Sequence, residues 1–268
     1  SFRSLRSLPL LALLGSGCGT SPAPSDASLV DAGPLEDAAL DARVVDAAPP
    51  PEARAAVAPY AAYVDPFIGT GGIAYRDIGS THPGPQMPFG MVRPGPDTAD
   101  ENGNAIGFYH CSGYAHSDQF VRAFSHTRMH GVGINDFGAV AFMPTYGFSA
   151  ATANARGLLS HMDKTRERAS VSTYATVLDD PRFGMGREIQ VETTATPRVG
   201  LHRVTFSSGE DASIVFNLGH AHADVDVHEG ELRILPEARE IEGSIRVGGG
   251  YSDRFGGVRF HFVARFSE

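Results

Sequence analysis

Apolar and polar residues alternate with a period of two through most of the second half of this chain. The runs 169–178 ("ASVSTYATVL"), 187–206 ("REIQVETTATPRVGLHRVTF"), 212–221, 231–237, 240–249 and 257–267 ("GVRFHFVARFS") share the alternation and are rich in β-branched and aromatic residues. Strand side chains point to opposite faces in turn, so this period buries one face and wets the other. Turn signals part the runs: Asp180-Pro181, Ser208-Gly209 and Gly248-Gly249-Gly250. No helical period is sustained over a useful length. With 31 Gly, 18 Pro and no Trp in 268 residues, the chain reads as all-β, a large antiparallel β-sandwich.

The length and the 42% hydrophobic content suffice for one large domain or two small ones. A net charge of −9 argues against nucleic acid, whose phosphates need a basic face, and against adsorption to anionic lipid. Arg3 and Arg6, the apolar run 8–14 ("LPLLALL") and the small residues up to Cys18 resemble a bacterial lipoprotein signal over 1–18, with acylation at Cys18. An ordinary secretory signal containing a Cys is the other reading, and Gly15 stands where a branched aliphatic residue is usual. Both readings export the protein to the cell envelope, periplasm or exterior, with a lipid anchor as its only hold on a membrane. Residues 19–59 are Ala, Asp and Pro with almost no aromatics. Such a segment buries too little apolar area to offset its ordering entropy, so it is expected to be a disordered tether. The folded domain is expected over 60–268. With Cys18 acylated, Cys111 has no partner among the two cysteines.

The stretch 82–98, "HPGPQMPFGMVRPGPDT", threads Met87, Phe89, Met91 and Val92 through Gly and Pro. Met87, Phe89 and Met91 alternate, which predicts a short strand buried on one face. The Gly and Pro residues would hold the flanking loops in fixed shapes.

Several clusters carry chemistry-bearing residue types. In an extended strand His220, His222, Asp224, Asp226 and His228 would share one face, with residue types that ligate metals. A solvated polar face fits the same spacing. His126 and His130, four apart, would share a helical face, but no acid lies between them, so this is not a zinc-protease signature. They fit equally a polyol-lining role or satisfied core histidines. "FIGTGG" (67–72) lacks the Gly-Lys-Ser/Thr ending of a phosphate loop, which excludes nucleotide binding. Asp65, Asp77, Asp97, Asp118 and Asp136 are available as carboxylates for glycosidic chemistry, but sequence does not pair them. No nucleophile elbow is present.

Six blocks, "YVDPFIGTGG", "HPGPQMPFGMVRPGPDT", "CSGYAHSD", "AFSHTRMHGVGINDFGAVAFMP", "TTATPRVGLHRVTF" and "FHFVARFS", stand in the order seen in glycoside hydrolase family 92. From about residue 62 onward the chain resembles the N-terminal β-sandwich domain of these exo-acting α-mannosidases. The resemblance implies inverting, calcium-dependent hydrolysis of terminal α-mannosides. It places the catalytic acid, the base and most calcium ligands on a C-terminal (α/α)6 barrel that these residues do not contain. The chain is thus expected to be the truncated front part of such an enzyme, inactive by itself, with an α-mannoside glycan and the barrel as partners. No catalytic or metal-ligating residue is assigned within it.

The match to the family blocks implies substrate-facing roles for Gly71, Gly72, His110, Cys111, Ser112, Tyr114, His126 and Asp136. Family members often carry Trp just ahead of "CSGYAHSD". Here "GFYHCSGY" stands instead, so an aromatic platform falls to Phe108 or Tyr109. The usual "SHTHLSGTG" reads "SHTRMHGVG", which puts Arg128 for a His and His130 for a Ser; the usual "DLGD" reads "DFGA", keeping Asp136 and putting Ala139 for the second Asp. The alternative reading is a non-catalytic carbohydrate-binding or structural β-sandwich lipoprotein.

Overall fold

The computed structural model describes residues 60–71, 79–131 and 133–267, all within a unit spanning Pro59–Glu268. The signal and tether expected over 1–59, with Cys18, lie outside the described residues, as do Gly72 and Asp77.

Among the described residues, strands form three antiparallel sheets. The first is five-stranded and runs β1 (Gly95–Ala99), β2 (Phe120–Ser125), β3 (Ala141–Tyr146) and β9 (Ala212–Asn217), with β4 (Ser160–His161) also on β2. The second is a four-stranded meander of β5 (Arg168–Ala169), β6 (Thr173–Leu178), β7 (Ile189–Ala195) and β8 (Gly200–Phe206). The third joins β10 (Asp226–Leu235), β11 (Glu240–Gly248) and β12 (Val258–Arg265). One α-helical turn, α1 (Ala155–Leu158), is capped by Asn154, whose side chain accepts Gly157 N–H at 2.9 Å.

The period-two runs become β6 to β8 and β10 to β12, and their turns are closed as their residues demand. Thr196 N–H donates to Val199 O at 2.8 Å across the β7–β8 turn. Asp180 accepts Arg182 N–H at 2.9 Å beside Pro181. The main core lies between the first two sheets: Phe124, Phe142 and Tyr146 from one meet Tyr174, Leu178 and Ile189 from the other. Tyr146 and Phe206 pack edge-on at 5.5 Å between centroids. The third sheet turns Phe262 onto Phe216 of β9 (6.4 Å) and Phe260 onto Phe137 (5.4 Å). Its other face carries the ion pairs of Glu229 with Arg246 and Arg259, so alternation and burial agree.

Two expectations fail here. Met87, Phe89 and Met91 form no strand and are exposed. Gly90 N–H donates to Met87 O at 2.9 Å, and Phe89 has φ 60°. With Pro88 and a left-handed residue at its centre, 87–90 is a tight turn, in which side chains cannot alternate across a sheet. The stretch 220–228 is likewise no single strand. His220 N–H donates to Asn217 O, Val225 N–H donates to His222 O, and Asp224 has φ 58°, so the chain turns twice before β10 begins. Only Asp226 and His228 of the five lie on β10.

Candidate functional site

The loops on one side of the first sheet are organised around Arg128, buried just after β2. Its five N–H groups all find acceptors. Nε donates to Arg93 O (2.8 Å), Nη1 to Ser112 O (2.8 Å) and Asp97 Oδ1 (3.0 Å), and Nη2 to Gly95 O and Ser125 O (each 3.1 Å) and Ser125 Oγ (3.0 Å). One guanidinium thus ties together four backbone carbonyls from segments far apart in sequence. Asp97, on β1, also faces His220 Nε2 (2.7 Å) and His222 Nε2 (3.1 Å), and all four side chains are buried. Burial alone would raise the Asp97 carboxyl, but His222 and Arg128 hold it well below the usual carboxylate range. Burial pulls the His222 imidazole down against the pull of Asp97. Gly113 completes the cluster at φ 88°: a Cβ there would fall 2.2 Å from Asp97 Oδ1 and 2.6 Å from His222 Nε2. Only glycine meets both demands.

Four of the expected site residues sit on the loop this cluster holds. His110 accepts Ile106 N–H at Nδ1 (2.9 Å), which leaves Nε2–H to donate to Asp118 at 2.7 Å. Cys111 is buried with Sγ 3.4 Å from Ser80 Oγ. Ser112 donates its hydroxyl to Thr81 O (2.8 Å) while its carbonyl accepts from Arg128. Tyr114 is buried, and its hydroxyl donates to Glu167 Oε1 at 2.9 Å beside that of Tyr174 at 2.6 Å. Burial first, then Glu167, pushes the Tyr114 phenol up, so it is a structural donor and its ring is core.

The other expected residues are dispersed. Phe108 is 58% exposed, Tyr109 and Gly71 are half-buried. Asp136 is fully buried. Its Oδ1 accepts from Phe137 N–H (3.0 Å) and Ser252 Oγ (2.6 Å), its Oδ2 from Tyr251 N–H (3.1 Å) and Ser252 N–H (2.8 Å). It therefore clamps the turn after β11. Its carbonyl lies 3.1 Å from His222 Nδ1, which joins the clamp to the Arg128 cluster.

His126 belongs to a separate pair. Its Nδ1–H donates to Val140 O at 2.5 Å, so its Nε2 accepts from His202 Nε2–H at 2.9 Å. His202 Nδ1 is then a buried lone pair with no partner among the described residues. Burial, and then His126, lowers His202 to about 3. His130 does not join them; it is half-buried near Arg93 and Arg128. Both ring nitrogens of His126 are thus engaged inside the domain.

Residues 63–268 match the model of the glycosyl hydrolase family 92 N-terminal domain. The chain belongs to glycoside hydrolase family 92. Solved structures of this family resemble it. The family 92 α-mannosidase BT3965 from Bacteroides thetaiotaomicron has a TM-score of 0.62 at 28% identity, over 78% of this chain and 26% of its own. The same enzyme is also solved in complex with mannoimidazole. The inverting mannosidase BT2199 from the same organism shares the fold, with a TM-score of 0.55 at 24% identity over 71% of this chain and 23% of its own. The chain thus spans about a quarter of the length of these family 92 structures. No curated protein matches it.

Family 92 implies calcium, a hard cation that takes about six to eight oxygen ligands. The described residues do not fit it. Among them no group of three or more His, Cys, Asp or Glu side chains is placed to hold a metal. Asp97 is taken up by Arg128 and two histidines, and Asp136 by backbone N–H groups and Ser252. His220 and His222 meet at Asp97, but there the guanidinium supplies the positive charge a metal would bring.

Proposed function

We propose that this domain shapes the substrate site of an exported, calcium-dependent, inverting α-mannosidase, and that it is inactive without the remainder of the enzyme. The observation that carries the reading is the family 92 match over 63–268, supported by resemblance to an enzyme named as an α-mannosidase and solved with mannoimidazole. An α-mannoside glycan is the substrate class. An inverting site sets an acid and a base far enough apart to admit water. Asp97 and Asp136 have their lone pairs engaged inside the domain, in keeping with an acid, a base and most calcium ligands that lie elsewhere in the enzyme. The domain's own contribution is backbone held in fixed shape: Arg128 and Asp97 lock the loop from His110 to Tyr114, and exposed Phe108 beside it offers an apolar face to a sugar ring.

The test is mannose release from α-linked mannosides. The 268-residue chain should release none, while the full-length gene product should hydrolyse the substrate and lose activity to a calcium chelator. Mannose release by the 268-residue chain would overturn the reading. Export through a lipoprotein signal predicts palmitate incorporation that disappears in Cys18→Ala. A non-catalytic carbohydrate-binding module is the second reading, favoured by exposed Phe108 and by carboxylates that are already occupied. A mature polypeptide that ends near residue 268 and binds mannosides would establish it.

A further inference from the structure

The turn 249–257, between β11 and β12, displays two aromatic rings that the core does not use. Phe255 is 82% exposed and Tyr251 44%. The Arg254 guanidinium carbon lies 5.5 Å from the Tyr251 ring centroid and 5.9 Å from that of Phe255, within cation–π reach of both. Beside it, exposed Asp253 has Oδ1 at 2.9 Å from His228 Nε2, while its Oδ2 has no partner among the described residues. The turn is fixed from beneath. Asp136 accepts the Tyr251 and Ser252 N–H groups, and Gly257 N–H donates to Ser252 O at 3.0 Å. Gly257 has φ 82°, and a Cβ there would fall 2.5 Å from Val247 O. Rings carried on a backbone already held in shape lose little freedom when they bind.

The residue types point to a ligand class. A pyranose has an apolar C–H face, which an aromatic ring covers, and an edge of hydroxyls, which a guanidinium and a carboxylate engage as donor and acceptor. Arg254 and Asp253 are opposite in charge, which suits an uncharged ligand. An apolar protein surface is a poorer occupant, because it would bury both charged groups without partners. The position fits as well. Gly250 N–H donates to Asn135 O at 2.8 Å, and a Cβ on Gly107 would fall 2.6 Å from Asn135 Nδ2. Asn135 thus joins this turn to the loop that bears exposed Phe108.

We propose that Tyr251, Asp253, Arg254 and Phe255 form a second carbohydrate subsite, which holds a sugar of an α-mannoside glycan away from the bond that is cleaved. This rests on the reading of the domain as part of a mannoside hydrolase.

The test uses the full-length gene product and two readouts. One is hydrolysis of 4-nitrophenyl α-mannoside, too small to reach a distal subsite. The other is retardation by soluble α-mannan in native electrophoresis, with a calcium chelator present to stop hydrolysis. Tyr251→Ala and Phe255→Ala should weaken mannan binding by about tenfold in Kd and leave chromogenic hydrolysis within about twofold of wild type. Phe255→Tyr, which keeps a ring, should bind as wild type, as should Met185→Ala at an exposed side chain elsewhere. Wild-type protein that hydrolyses the small substrate but is not retarded overturns the proposal and leaves the hydrolase reading standing. So do alanine variants that bind mannan normally, or that lose both readouts together. Wild-type protein that neither hydrolyses nor binds removes both. Retardation that depends on the two rings, in a protein without hydrolysis, keeps the subsite and removes the hydrolase reading alone.

Discussion

The guanidinium of Arg128 is wholly engaged inside the domain. Removing it leaves the Asp97 carboxylate buried with no cation and frees four carbonyls at once. Breaking a buried pair from one side costs about 3–5 kcal/mol. Arg128→Met should therefore lower the unfolding free energy by about that amount in urea titration; a loss below about 1 kcal/mol would show the cluster to be dispensable. Arg128→Lys should recover only part of the loss, since an ammonium has three donors for acceptors that the guanidinium meets with five. Phe89 poses the opposite case. Its ring is exposed and its φ is left-handed, a conformation that costs an L-residue roughly 1–2 kcal/mol and that Asn tolerates better. Phe89→Asn should raise the stability of the 268-residue chain by roughly 1 kcal/mol, read as a higher urea midpoint at unchanged slope. A fall in stability would mean that the ring packs within the domain after all.

At the scale of elements, strands were legible where one face is core and the other water. The inner row of the third sheet runs through Ile245 and Phe260, and its outer row through Arg246 and Arg259, so sequence alternation and burial coincide. Ile245→Ala should cost about 2–5 kcal/mol, whereas Ile234→Ala, near the exposed tip of the same hairpin, should cost below about 1 kcal/mol. Equal effects would contradict the burial gradient along this sheet. Alternation misled at 87–91 and at 220–228, where left-handed Phe89 and Asp224 turn the chain. Nothing in a pattern of apolar and polar letters reports the sign of φ at a residue other than Gly. The candidate site was legible only in pieces. Asp97, His220 and His222 each drew attention as residue types, yet they meet across separations of 123 and 125 positions. Asp97 is what unites them, and Arg128 holds it in place from the other side. Asp136, expected at the site from its family block, has its carboxylate clamping the 251–252 turn.

At the scale of the whole molecule, several buried histidines resist acid in the same direction. His82, His126, His202 and His222 are held below the ordinary imidazole value, chiefly by burial, and His202 falls to about 3. The unfolded chain protonates these rings as pH drops below about 6.5, while the folded chain does not. Their contribution to stability is therefore complete above about pH 6.5 and declines below it, by about 1.4 kcal/mol per pH unit for each proton taken up only by the unfolded state. Asp97 acts later. Its folded carboxyl lies below the unfolded value, so its contribution persists to about pH 4 and is lost as pH falls through the folded value. Acid unfolding should thus begin with the histidines and finish with the carboxylate. Urea midpoints of the 268-residue chain should fall steadily from about pH 6.5 to about pH 4.5. His202→Phe removes a ring whose Nδ1 is buried without a partner among the described residues, so it should flatten that decline by up to about one proton. A midpoint independent of pH across this window would show that the buried rings take up protons without unfolding. An unchanged slope in His202→Phe would show that His202 is not one of the groups that resist.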